Sequence, residues 1–173
     1  MTAAYDVCLT IESCIDILDW LLESLKQKKG GPIGDDAFQV MRIRSGLPDW
    51  DRELSEEHNL YETRLTNMVS FTKGGYTGQE TISWLDTNDS VQRYLMVIEM
   101  DEQPDEKLPL KVLFNDDPIG KLTSYVFDPL SKKHLGLGYI DRSYTVEGMN
   151  LRIEVALGEK RISGGLKLPV RGI

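Results

Sequence analysis

The second half of the chain sets the tightest limit on its fold. From Val91 onward, short apolar-rich segments follow one another: Arg93 to Met100, Lys111 to Phe114, Ile119 to Phe127, Leu135 to Ile140, Leu151 to Ala156 and Lys160 to Leu168. Turn-forming stretches separate them, among them Asp116-Asp117-Pro118, Asp128-Pro129, Glu147-Gly148 and Gly158. Strand candidates of this length and spacing have one economical solution, a small all-β barrel or sandwich. The acidic run from Glu99 to Glu106 is interrupted by Pro104 and reads as a solvated loop, without the ligand spacing of a calcium-binding hand.

The first half reads differently. Tyr5, Val7, Leu9 and Ile11 alternate with Asp6, Cys8 and Thr10, the period of a strand. Ser13, with Asp16 three positions on, reads as the N-cap of a helix. Ile17, Leu18, Leu21, Leu22 and Leu25 give that helix an apolar stripe, and Gly30-Gly31 stop it. After the turn Pro32-Ile33-Gly34, Asp35 or Asp36 caps a second helix from about Ala37 to Arg44, which Gly46 and Pro48 end. One strand cannot make a sheet, so Tyr5–Ile11 is expected to pair with a strand later in the chain or with another chain. The fold class is α+β: an incomplete α/β (ferredoxin-like) lobe over residues 1–50, a connector over 51–90, and a C-terminal β-barrel over 91–173.

Charge and cysteine content narrow the function. A net charge of −8 disfavours nucleic acid and anionic membrane surfaces, both of which require a basic face. No apolar run approaches the roughly 20 residues of a membrane span. The N-terminus does not have the pattern of a signal peptide, and Cys8 and Cys14 are too few for a disulfide framework, so the expected compartment is the cytoplasm. Both cysteines are expected to be packed, not reactive. No metal is expected, because Cys8, Cys14, His58 and His134 lack short ligand spacings. His58 lies in the polar, acidic stretch from Asp49 to Thr66, which is expected to wrap over the surface with that histidine solvated.

Within the connector lies the octapeptide Lys73-Gly74-Gly75-Tyr76-Thr77-Gly78-Gln79-Glu80. It follows the apolar run Met68-Val69-Ser70-Phe71 and precedes a short helical pattern from Glu80 to Leu85, which reads as strand, glycine turn, helix start. It is not a nucleotide phosphate loop, since no Gly-Lys-Ser/Thr follows at the required spacing. The glycines serve a tight turn, and Lys73 and Glu80 either approach a ligand or lie on the surface. Tyr76 and Trp84 flank the helix and are expected at a seam between lobes in preference to a ligand wall. No hydrolase nucleophile turn is present.

Lys-Gly-x-Tyr-Thr-Gly-Gln-Glu after Val-Ser-Phe resembles the signature of the YgfZ branch of the aminomethyltransferase family, which includes the glycine-cleavage T-protein. Further segments resemble the family in the same order: Ala4-Tyr5-Asp6-Val7, the helix end Met41 to Pro48, Ile119 to Ser124, His134 to Ile140, and Leu168-Pro169-Val170. The resemblance implies a tetrahydrofolate-binding protein that carries out one-carbon transfer or YgfZ-like maintenance of iron–sulfur proteins. It covers the C-terminal half of the family's length, which leaves open a fragment, or a short homologue that pairs with another chain or self-associates through the N-terminal strand. The resemblance places Asp6 and Arg42 at the folate, Asp6 accepting hydrogen bonds from the pterin. Arg44 stands where the family has Glu, and Gly75 where the YgfZ branch has Cys and the T-protein has Asp. These departures support a second expectation, a non-catalytic interaction or scaffold module, and leave the enzyme class and the catalytic residues open.

Overall fold

The computed structural model describes residues 7–88, 91–146 and 151–169. Three helices come first: α1 (Cys14–Gln27), α2 (Asp35–Ser45) and α3 (Gln79–Asn88). Six strands follow: β1 (Arg93–Met100), β2 (Leu110–Phe114), β3 (Asp117–Asp128), β4 (Lys133–Asp141), β5 (Arg152–Leu157) and β6 (Lys160–Lys167). They close into an antiparallel barrel in the order β1-β4-β3-β2-β5-β6, with β6 returning to β1. All six strand expectations hold within two residues at each end.

Closure explains the pattern of β1. Met96, Ile98 and Met100 point into the barrel with Val112, Leu122 and Ile153, forming the interior core. Leu95 and Val97 point outward, yet they too are buried, against Ile43 of α2 and Leu135, Leu137 and Tyr139 of β4. A strand covered on both faces reads as a continuous apolar run, and Tyr-Leu-Met-Val-Ile is one. The strands approach closely where β4 carries Gly136 and Gly138: a Cβ at Gly138 would fall inside the backbone of Lys121 on β3.

Gly34 occupies the N-cap position of α2, so Asp35 and Asp36 lie in its first turn instead of capping it. Gly46 ends it in the left-handed conformation (φ 66°), and the Leu47 N–H reaches back to the Arg42 carbonyl at 3.0 Å. α1 also starts as expected, with Ser13 at its N-cap position, but the Ser13 hydroxyl bonds Thr10 and does not cap the helix.

Several expectations are corrected. Val7 to Thr10 form no strand, and Val7, Leu9 and Ile11 are exposed, since the described barrel closes on itself and offers them no free edge. Tyr5 and Asp6 lie outside the described residues. Val69 to Phe71 are likewise not a strand; a 3₁₀ turn over Thr66–Met68 leads into the octapeptide. Cys8 is exposed, not packed. Among the described residues no helix is long and apolar enough to cross a membrane.

Candidate functional site

The most constrained polar cluster lies where α2, the connector and the barrel meet. Arg42 projects from the last turn of α2 and is only 3% exposed. Its Nε donates to Gln39 at 2.9 Å, Nη1 to the Leu47 carbonyl at 2.9 Å and to Glu53 Oε2 at 3.0 Å, and Nη2 to the Ser124 hydroxyl at 3.2 Å. Glu53, from the connector, is fully buried. Its carboxylate also accepts the Asp49 N–H at 2.9 Å, the Ser124 hydroxyl at 2.8 Å and the Thr123 hydroxyl at 2.6 Å. A buried carboxylate is tolerable only when its lone pairs are met in this way.

Tyr139 extends the cluster from β4 by donating to the Glu53 carbonyl at 2.8 Å. Burial, with the negative charges of Glu53 and Glu62 beyond it, pushes the Tyr139 hydroxyl well above its ordinary pKa. His58 stacks on the Tyr139 ring with centroids 3.5 Å apart, and its Nδ1 lies 3.5 Å from Glu62. The expectation of a solvated His58 therefore fails: the connector is anchored on the barrel, and the backbone N–H of Leu95 bonds the Glu62 carbonyl at 2.8 Å. Nothing in the composition of Asp49–Thr66 marks Glu53 as buried. Its one legible partner is the Thr123-Ser124 pair that the sequence displays on β3.

On the other side of α2 a groove of about 900 Å³ opens between the helix and the barrel. Its wall is mainly apolar, from Val40, Met41, Phe127, Leu130 and Leu135. Arg44 reaches across it to Asp128. Burial pushes the Asp128 carboxyl up, but hydrogen bonds from Ser131, Arg44 and the Leu130 N–H outweigh it and hold the group below its ordinary pKa. The Arg44 position thus has a partner inside this chain. The groove is within the size range of small-molecule sites.

The octapeptide lies apart from this cluster as an exposed turn. Gln79 Nε2 bonds the Lys73 carbonyl at 3.4 Å, and the Lys73 N–H bonds Ser70 at 3.0 Å. Lys73, Gly74, Gly75, Thr77, Gly78 and Glu80 are exposed, while Tyr76 is half-buried with its hydroxyl enclosed. Only Gly78 has a positive φ (88°); a Cβ at Gly74 meets nothing within 4 Å, and one at Gly75 meets only Gln79 Oε1 at 3.9 Å. Geometry accounts for Gly78, and nothing in the structure demands glycine at the other two positions. Trp84 is exposed on α3. The structure brings Arg42 into the cluster and leaves the octapeptide outside it, with Asp6 beyond the described residues. Among the described residues no group of three His, Cys, Asp or Glu could hold a metal ion.

Comparison with known proteins agrees with the architecture. Residues 93–165 match the glycine cleavage T-protein C-terminal barrel domain. A chloroplastic protein of Arabidopsis thaliana named "Putative transferase" is 38% identical over 64% of this chain and 25% of its own length. An aminomethyltransferase of Aquifex aeolicus is 32% identical over 84% of this chain and 39% of its own length. The crystal structure of a glycine cleavage system aminomethyltransferase T from Bartonella henselae superposes with a TM-score of 0.73 at 20% identity, over 94% of this chain and 45% of that one. The chain spans less than half the length of these relatives. Residues 93–165 are thus a glycine cleavage T-protein C-terminal barrel domain, and the chain corresponds to the C-terminal part of that family.

Proposed function

We propose that the chain is the C-terminal part of a tetrahydrofolate-binding, aminomethyltransferase-like protein. The observation that carries this reading is the co-linear similarity to proteins named aminomethyltransferase, over 84% of the chain in the Aquifex case. The groove beside α2 adds to it, since its apolar wall and volume suit a flat ring with a polar tail. Tetrahydrofolate, when bound, accepts the one-carbon unit. In this reading Asp6 supplies the carboxylate that accepts from the pterin's amino and ring N–H groups. Arg42 is a folate-site residue that acts at one remove. Its bonds to Gln39, Leu47, Glu53 and Ser124 hold α2 and the connector at a fixed angle to the barrel. Residues 1–50 serve as the folate-facing lobe, 51–90 as the connector and 91–173 as the barrel. Gly75 carries neither the Cys of the YgfZ branch nor the Asp of the T-protein, so this position does not separate transfer chemistry from YgfZ-like iron–sulfur maintenance. The free Cys8 and Cys14 suit a reducing compartment such as the cytoplasm.

The test is calorimetric titration of tetrahydrofolate into the chain joined to a lobe equivalent to the remainder of its longer relatives. Binding is expected, and Asp6→Ala is expected to weaken it about tenfold to a hundredfold, the worth of hydrogen bonds to a charged group. No binding, or equal binding by the Asp6→Ala protein, would refute the proposal.

A second reading, an interaction module without catalysis, is favoured by α1. Its stripe of Ile17, Leu18, Leu21, Leu22 and Leu25 includes no buried residue, and Trp20 on the same helix is 66% exposed. An amphipathic helix in that state is built to meet another polypeptide. Light scattering distinguishes the two readings: a strict monomer across a wide concentration range would count against the second.

A further inference from the structure

A second, smaller cleft lies on the outer face of the barrel, beyond the edge of the connector. Its volume is about 240 Å³, below the usual range for cofactor-sized pockets. Arg93, Lys111, Lys121 and His58 line it, with Tyr139 and Thr123 in its wall. Three permanent cations therefore converge on one small concavity in a chain whose net charge is −8.

The register makes this placement costly. Lys111 on β2 and Lys121 on β3 are directly paired across the two strands. Like charges in that relation repel and weaken a sheet. Elsewhere on the barrel, three exposed lysines are neutralised: Lys133 by Asp101, Lys160 by Glu102 and Lys167 by Glu99. Among the described residues Lys111 and Lys121 form no ion pair with any carboxylate. Arg93 is close to the one acid in the cleft, Asp141, at 3.5 Å, which leaves two positive charges uncompensated. His58 closes one side of the cleft with a nine-tenths buried side chain, and its Nδ1 faces Glu62 at 3.5 Å, outside the cleft lining. The cleft thus gathers more positive charge than its one acid offsets, and a further negative group would relieve the repulsion between the two lysines.

We propose that the cleft bounded by Lys111, Lys121, Arg93 and His58 is a binding site for a compact oxyanion, a phosphate or carboxylate group. Two ammonium groups and a guanidinium supply charge-assisted donors to such a group. The wall formed by Tyr139 and Thr123 limits the ligand to a small anion or the anionic end of a larger molecule. This site does not involve the folate reading, and the two are tested with different ligands.

The test is thermal unfolding and amide chemical-shift mapping of the intact chain with inorganic phosphate, and in a parallel arm with succinate, against chloride at equal ionic strength. At least one of the two is expected to raise the melting temperature saturably and to shift the amides of Gly120, Lys121 and Thr123; which one does so identifies the anionic group. In the Lys111→Gln/Lys121→Gln protein the response should fall at least tenfold, while its melting temperature in chloride equals or exceeds that of the parent. The Lys111→Arg/Lys121→Arg protein should keep the response, separating charge from local packing. Failure of both anions to shift these amides, or an undiminished response in the double Gln protein, overturns the proposal.

Discussion

Arg42 and Glu53 form a buried ion pair, and the two partners are not equivalent in what their loss exposes. Arg42→Ala would strand a carboxylate in the interior and is expected to cost about 3–5 kcal/mol of stability in urea denaturation. Ser124→Ala removes a neutral group bonded to both and should cost about 1–3 kcal/mol. Titration gives a second handle. Asp128 has a folded pKa below its unfolded value, so its contribution is present above about pH 4 and is lost as pH falls through the folded value. The stability gap between the parent and Asp128→Asn should therefore narrow in acid. Tyr139 has the opposite sign. Its folded pKa is raised, so stability holds below about pH 10 and declines above it as the unfolded chain ionises first. Tyr139→Phe should lose about 1 kcal/mol at neutral pH, from its bond to the Glu53 carbonyl, and show a shallower alkaline decline.

Glycines separate two kinds of element boundary. Gly46 closes α2 at a positive φ, and a Cβ there would overlap the Pro169 side chain, so Gly46→Ala should cost at least about 1–2 kcal/mol. Gly74→Ala and Gly75→Ala, with open space and ordinary backbone angles, should lie within about 0.5 kcal/mol of the parent in the same assay. The elements themselves were unevenly legible. Barrel strands were readable because alternation and turn residues act locally, and β1 (Arg93–Met100) coincides with its expected range. The alternation of Val7, Leu9 and Ile11 is equally regular, but a strand exists only when an edge receives it, and the described barrel edges are all taken. The connector departs from expectation for the converse reason. Its acidic composition suggests solvent, whereas Glu53 is held inside by Arg42, Thr123 and Ser124, at separations of 11 to 71 residues.

At the scale of the whole molecule, the barrel is complete while α1 has no buried residue. Deleting residues up to Gly31 should therefore leave the thermal unfolding of the barrel nearly unchanged, whereas any self-association seen by light scattering should fall. The same reasoning explains why Arg42 was legible as a residue of interest but not as a buried clamp: its partners come from three separate parts of the chain. Crowding in the barrel wall has a wider consequence. Gly120, Gly136 and Gly138 sit where β3 and β4 nearly touch, so side chains there would collide with backbone or core atoms whatever the protein does. Invariance at these sites among related barrels would record an architectural veto on mutation, inherited even by members that had lost all chemistry. Evolutionary retention would instead speak for activity at sites such as Lys111 and Lys121, where the fold itself gains nothing from the residue it carries.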